Sequence, residues 1–192
     1  MTRIGVFGGT FDPPHNGHLI IADRAVRQLK LARVVFVPAY LPPHKRKGTS
    51  ASPSQRYSMI QKVIHGRRKF DATPVEIERK GVSYTIDTLR DLKKMYASAK
   101  FYLIVGGDNY RHFRTWKSSR QILALATLVV YRRSGMHGEG SLKKRKGVVW
   151  LTGGPIDVSS TMIRHKVQRG ESIRKLVSPK IERFIRSQKL YR

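Results

Sequence analysis

RIGVFGGTFDPPHNGHLIIADRAVRQLKLARVVFVP, residues 3–38, constrains the fold more than any other stretch of this chain. Ile4, Val6 and Phe7 run into a glycine pair, as in a short buried strand whose end opens into a loop. From His18 onward, Ile21, Ala22, Ala25, Val26 and Leu29 recur at helical spacing. Val34 to Pro38 then reads as a second strand, halted by proline. A strand, a helix and a second strand this close together imply parallel pairing and a right-handed crossover.

The rest of the chain continues the alternation. AYLPPHKRKGTSA has the proline, glycine and charge of an exposed functional loop. Ser52-Pro53-Ser54-Gln55 is a capping box with proline at the first helical position, and it starts a helix bearing Tyr57, Met59, Ile60 and Val63. TPVEIE alternates like a strand. GVSYTIDTLRDLKKMY sets Ile86, Leu89, Leu92 and Tyr96 on one helical face, and FYLIVGG is the continuous apolar run of a strand covered on both sides. A helix around Ser119 to Leu125 and strands at TLVVY and VVWL follow, the two strands separated by a basic, glycine-rich loop at 132–147. Ser159-Ser160-Thr161 starts one late helix. Ser178 and Pro179 start another, with Ile181, Phe184 and Ile185 inward. No internal repeat is visible. The expected fold is one α/β domain over residues 1–192, Rossmann-like, with a mainly parallel open sheet and helices on both faces. Ligands of such sheets bind beyond the carboxyl ends of the strands.

The opening loop stands at such an end. Gly8 and Gly9 let the backbone turn and approach a ligand closely, and the amides entering the helix after Asn16 attract an anion. Neither GxxxxGK[ST] nor GxGxxG is present, so this is not a Walker loop or the dinucleotide fingerprint. His15 and His18, three apart at a helix start, can face one phosphate and donate to it. The competing reading of HxxH is zinc, but the glutamate of HExxH is missing and no third ligand lies nearby.

Composition narrows the class. With no cysteine, disulfides, thiolate catalysis and sulfur-ligated zinc are excluded. No apolar run is long enough for a membrane span and no signal-peptide pattern opens the chain, so a cytoplasmic setting is expected. The excess of 39 Lys and Arg over 12 Asp and Glu, a net +27, selects anionic partners, whether nucleotides or nucleic acid.

GGTFDPPHNGH resembles the signature of the HxGH nucleotidylyltransferase superfamily. PPHK, GVSYTIDTL, GGDNYRHFRTWK and VSSTMIR, in that order, make the chain similar within it to bacterial nicotinate-mononucleotide adenylyltransferases. The combination is more specific than any one motif. The resemblance implies transfer of the adenylyl group of ATP to nicotinate mononucleotide, as a step of NAD biosynthesis. It implies that His15, His18, Lys45 and Arg164 are catalytic. Gly8, Gly9, Thr10, Phe11, Gly106, Asp108, Ser159, Ser160 and Thr161 would bind ATP together with His15, His18 and Arg164. His44, Lys45, Thr85, Asp108, Trp116 and Lys117 would hold the mononucleotide. An indole at Trp116 suits stacking on a pyridinium, and a lysine at 117 would add positive charge for the acid form. With so few acidic residues and none clustered, Mg²⁺ is expected to be held mainly by triphosphate oxygens and water, with no assigned metal site in the protein and direct contact from Asp12 or Asp108 as the open alternative. Transfer to the amide mononucleotide or to phosphopantetheine is the nearest alternative reaction. A basic nucleic-acid-binding module is the alternative of another class, and a homo-oligomer is compatible with either.

Overall fold

The computed structural model describes residues 1–43, 49–132 and 147–192. Six parallel strands form one sheet in the order β3-β2-β1-β4-β5-β6: β1 (Arg3–Gly9), β2 (Arg33–Pro38), β3 (Phe70–Ala72), β4 (Lys100–Gly106), β5 (Ala126–Tyr131) and β6 (Val148–Trp150). The helices are α1 (Asn16–Leu29), α2 (Pro53–Ile64), α3 (Val75–Arg79), α4 (Thr85–Met95), α5 (Gly107–Arg111), α6 (Ser119–Leu125), α7 (Ser160–Gln168) and α8 (Pro179–Ser187).

Pleating divides the apolar residues of each central strand between two cores. Phe7, Val34, Phe36, Tyr102 and Ile104 face one side, where α1, α2, α7 and α8 bury Ile21, Met59, Ile163 and Ile181 against them. Ile4, Val6, Val35, Val37, Phe101, Leu103 and Val105 face the other, against Ile86, Leu89 and Leu92 of α4 and Ile122 of α6. Burial on both faces explains why the strands read as unbroken apolar runs. Each such side chain contributes about 1.5–3 kcal/mol when removed from water.

Most boundaries follow their sequence signals. Ser52 accepts the Gln55 amide and Gln55 Oε1 accepts the Ser52 amide, with Pro53 at the first helical position. Ser159 and Ser178 cap α7 and α8 through the amides of Met162 and Ile181.

The strand expected at TPVEIE is a correction. Residues 75–79 are helical, and the third strand lies just before them at Phe70–Ala72. An alternation of six residues fits one helical turn with Pro74 at its cap as well as it fits a strand, and three residues of strand carry no period. The basic loop expected at 132–147 falls almost wholly outside the described residues. Among the described residues no helix is long and apolar enough to cross a membrane.

The strand order reverses between β1 and β4, each of which sends its chain to a different side of the sheet. Such a reversal leaves a crevice beyond the strand ends, where ligands of parallel sheets bind. Gly8 to His18 leave β1 at this point, and Gly106 to Asn109 leave β4 beside them.

Candidate active site

A cavity of about 460 Å³ occupies this crevice. Gly8, Gly9, Thr10, Phe11 and His18 line it from β1 and α1, Gly106 and Asn109 from β4 and α5, and Ser159, Ser160, Thr161 and Arg164 from α7. Thr85, Trp116 and Lys117 complete it from α4 and the segment before α6. Residues scattered over 157 positions of sequence therefore share one hollow.

The two imidazoles are stacked, with ring centroids 3.7 Å apart and planes inclined by 27°. His15 is the N-cap of α1 and is 2% exposed; His18 is 8% exposed and reaches the cavity wall. His18 Nδ1 accepts the His15 backbone N–H at 3.1 Å, so the neutral ring carries its proton on Nε2 and can donate from there. The Phe11 ring packs edge-on against it, 4.9 Å between centroids, which fixes the ring plane.

Two glycines of the loop differ in what a side chain would meet. A Cβ on Gly17 would meet Ile156 Cγ2 at 2.5 Å and Val158 Cγ1 at 2.7 Å, so only glycine lets α1 approach the segment before α7. A Cβ on Gly8 would meet nothing within 4 Å and would instead project into open space beside the cavity.

The N-terminus of α7 is tied to the same loop. Ser160 Oγ donates to Pro13 O at 2.8 Å, Arg164 Nη1 donates to Asp12 O at 2.9 Å, and Arg164 Nη2 reaches Thr161 Oγ1 at 3.3 Å. Free helix amides, hydroxyls and a guanidinium converge there, a combination that suits a polyphosphate.

At the other end, Trp116 leans on Phe113 with centroids 5.4 Å apart and is half-buried. Lys117 is exposed. Its ammonium sits 4.4 Å from the Tyr84 ring centroid and 3.4 Å from Asp87 Oδ2, so Asp87 already offsets part of the charge it brings. Asp108 is exposed and folds a carboxylate oxygen back over Gly106, where a Cβ would come within 2.4 Å of it. Pro42 and Pro43 line the cavity just before His44 and Lys45, which lie outside the described residues.

Asp12 has a different task from ligand binding. Its carboxylate accepts Ser50 N at 2.9 Å, Ala51 N at 3.0 Å and the Tyr191 hydroxyl at 2.9 Å, and the residue is 2% exposed. Among the described residues no three His, Asp or Glu side chains gather as a metal site.

Arg56 and Glu76 carry weight that the sequence reading missed. Arg56 is completely buried, and its guanidinium donates to Thr10 O at 2.8 Å, Tyr40 O at 3.1 Å and Ala51 O at 3.2 Å. Burial pulls its pKa down, opposed by the charge of Asp12. Within a chain this basic, nothing in SQR distinguishes a buried arginine from a solvated one.

Glu76 lines the cavity at 5% exposure and accepts the Thr88 hydroxyl. Burial pushes its carboxyl up, against hydrogen bonds from Ser83 and Thr88 and the charge of Arg79. A carboxyl raised by folding holds more protons folded than unfolded, so stability falls as pH climbs from the ordinary carboxylate range through the raised value. Glu76→Gln should remove that loss. In urea titrations from about pH 4 to pH 8, the variant should gain on the wild type as pH rises; a difference independent of pH contradicts the assignment.

Known proteins bear on this site in three ways. The cytidylyltransferase-like family model matches residues 6–166. Proteins named probable nicotinate-nucleotide adenylyltransferase are 39% identical in Shouchella clausii, covering 100% of this chain and 97% of the relative, and 37% identical in Clostridium novyi, covering 100% of both. Among solved structures, the Plasmodium falciparum nicotinic acid mononucleotide adenylyltransferase complexed with NaAD superposes with a TM-score of 0.84 at 18% identity, covering 100% of this chain and 98% of that one. That likeness concerns the fold. Family model and full-length relatives together place the chain in the cytidylyltransferase-like family, among its nicotinate-nucleotide adenylyltransferases.

Proposed function

We propose that this chain transfers the adenylyl group of ATP to nicotinate mononucleotide, giving nicotinate adenine dinucleotide and pyrophosphate, in the cytoplasm. The observation that carries the reading is the shared cavity, with His18, Ser160, Thr161 and Arg164 on one part of its wall and Thr85, Trp116 and Lys117 on another.

In this reading the acceptor supplies its own nucleophile. A phosphate oxygen of the mononucleotide attacks the α-phosphorus of ATP, the bond from that phosphorus to the β-bridging oxygen breaks, and pyrophosphate leaves. The protein's contribution is alignment and neutralisation of developing charge. His18 donates from Nε2 to the α-phosphate, with His15 stacked behind it. The α7 amides, Ser160, Thr161 and Arg164 take the β- and γ-phosphates. Trp116 stacks on the nicotinate ring, and Thr85, at the first turn of α4, offers its amide to the ring carboxylate. Mg²⁺ would enter with ATP and be held through phosphate oxygens and water.

Pyrophosphate release should be strongest with nicotinate mononucleotide among three acceptors, the others being the amide mononucleotide and phosphopantetheine. No release with any of them from folded protein and MgATP would sink the proposal. Trp116→Ala should raise KM for nicotinate mononucleotide roughly tenfold, the scale of one ring-stacking contact. KM for ATP should stay within about twofold. An unchanged acceptor KM would remove Trp116 from the nicotinate site.

A further inference from the structure

We propose that Tyr191 is a positioning residue for ATP, acting through Asp12 on the loop that presents the phosphate donors; this rests on the adenylyl-transfer reading. Tyr191 Oη donates to Asp12 Oδ1 at 2.9 Å, a buried contact spanning 179 positions of sequence. Ala51 N shares that oxygen and Ser50 N takes the other, so the phenol is one of three donors that fix the carboxylate.

The backbone of the same two residues holds the phosphate machinery. Asp12 O receives Arg164 Nη1 and Pro13 O receives Ser160 Oγ. A carboxylate locked at one rotamer therefore locks the peptide that aims an arginine and a serine of α7. Tyr191 does not line the cavity, so its influence on a ligand there has to pass through Asp12.

Several features keep the phenol in place. The Tyr191 ring and Leu190 are buried in the apolar cluster that also contains Phe11 and Ile163. Tyr191 adopts φ 63 and Lys189 φ 50, left-handed conformations that strain a side-chain-bearing residue and are retained against that strain. Burial, reinforced by the Asp12 charge, pushes the phenol pKa up, so the group stays a donor throughout the working pH range.

The test compares Tyr191→Phe with Leu190→Ala in the full chain. Tyr191→Phe keeps the buried ring and removes one hydroxyl, whereas Leu190→Ala removes packing and leaves the hydroxyl. Thermal midpoints, ATP dissociation constants by calorimetry, kcat, and KM for ATP and for nicotinate mononucleotide are measured below both midpoints. Tyr191→Phe should weaken ATP roughly tenfold in both Kd and KM, the scale of one hydrogen bond to a charged group. Its KM for the mononucleotide should stay within about twofold. Leu190→Ala should lower the midpoint at least as far while ATP affinity holds. Unchanged ATP affinity in Tyr191→Phe, or equal weakening in Leu190→Ala, overturns the proposal. An inactive wild type would count instead against the adenylyl-transfer reading, and the ATP dissociation constants would still decide on Tyr191.

Discussion

Replacing His18 with alanine should lower kcat for adenylyl transfer by about 10²–10³-fold, the usual cost of deleting one donor aimed at developing charge. The reason lies in how the ring is held. Its Nδ1 is committed to the His15 amide, its plane is fixed by Phe11, and the proton is left on Nε2 at the cavity wall. Alanine also deletes the reciprocal bond at the start of α1, so stability should fall by about 1 kcal/mol, as for a lost cap. These two effects separate cleanly. Steady-state rates below the thermal midpoint report the first, and denaturation reports the second. A kcat within tenfold of wild type, alongside the expected loss of stability, would reduce His18 to a capping residue. KM for both substrates should change little, because charge that develops only in the transition state is what the donor meets.

The second large effect concerns folding. Arg56→Ala should destabilise the protein by about 3–5 kcal/mol, the cost of opening a buried, hydrogen-bonded charge network. In a chain of this length that corresponds to a fall in Tm of roughly 6–20 °C. The guanidinium satisfies three carbonyls from three segments, at Thr10, Tyr40 and Ala51, and its charge faces Asp12. Alanine would leave those acceptors buried without donors and the carboxylate without its countercharge. Arg56→Lys should recover part of the loss, because an ammonium keeps the charge but gathers its donors on one nitrogen, where the guanidinium spreads them over Nε, Nη1 and Nη2. Urea unfolding of the three proteins checks the order. Equal stability of the wild type and Arg56→Ala would show that the network is not what holds the loop.

Much of this architecture was legible because it depends on local chemistry. Paired serine and glutamine cap α2, single serines cap α7 and α8, and unbroken apolar runs mark strands covered on both sides. The cavity was legible by another route, the order of motifs along the chain, among them those at the end of β1, the start of α4, the end of β4 and the start of α7. Where a signal needs more than a few residues it failed. TPVEIE alternates over too short a window to separate a strand from the turn of helix it forms, and Phe70–Ala72 is too short to show a period.

Long-range terms were invisible for a different reason. Arg56 and Tyr191 matter only because folding brings one to the carbonyls of Thr10, Tyr40 and Ala51 and the other to Asp12, and neither has a distinctive local pattern. Gly17 looked like part of a motif, yet its requirement comes from Ile156 and Val158, some 140 positions away. Lys117 was read for its charge, whereas its setting includes a carboxylate and an aromatic ring that no spacing rule connects to it. Nothing in the fold explains the size of the +27 charge.

The most direct measurement is a crystal structure of the full chain with nicotinate adenine dinucleotide bound. The phosphate on the adenosine side should lie within hydrogen-bond reach of His18 and the start of α7, with the nicotinate ring against Trp116 and its carboxylate at the Thr85 amide. A dinucleotide lodged outside this crevice, or one whose nicotinate ring lies away from Trp116, would contradict the assignment of one hollow to both substrates.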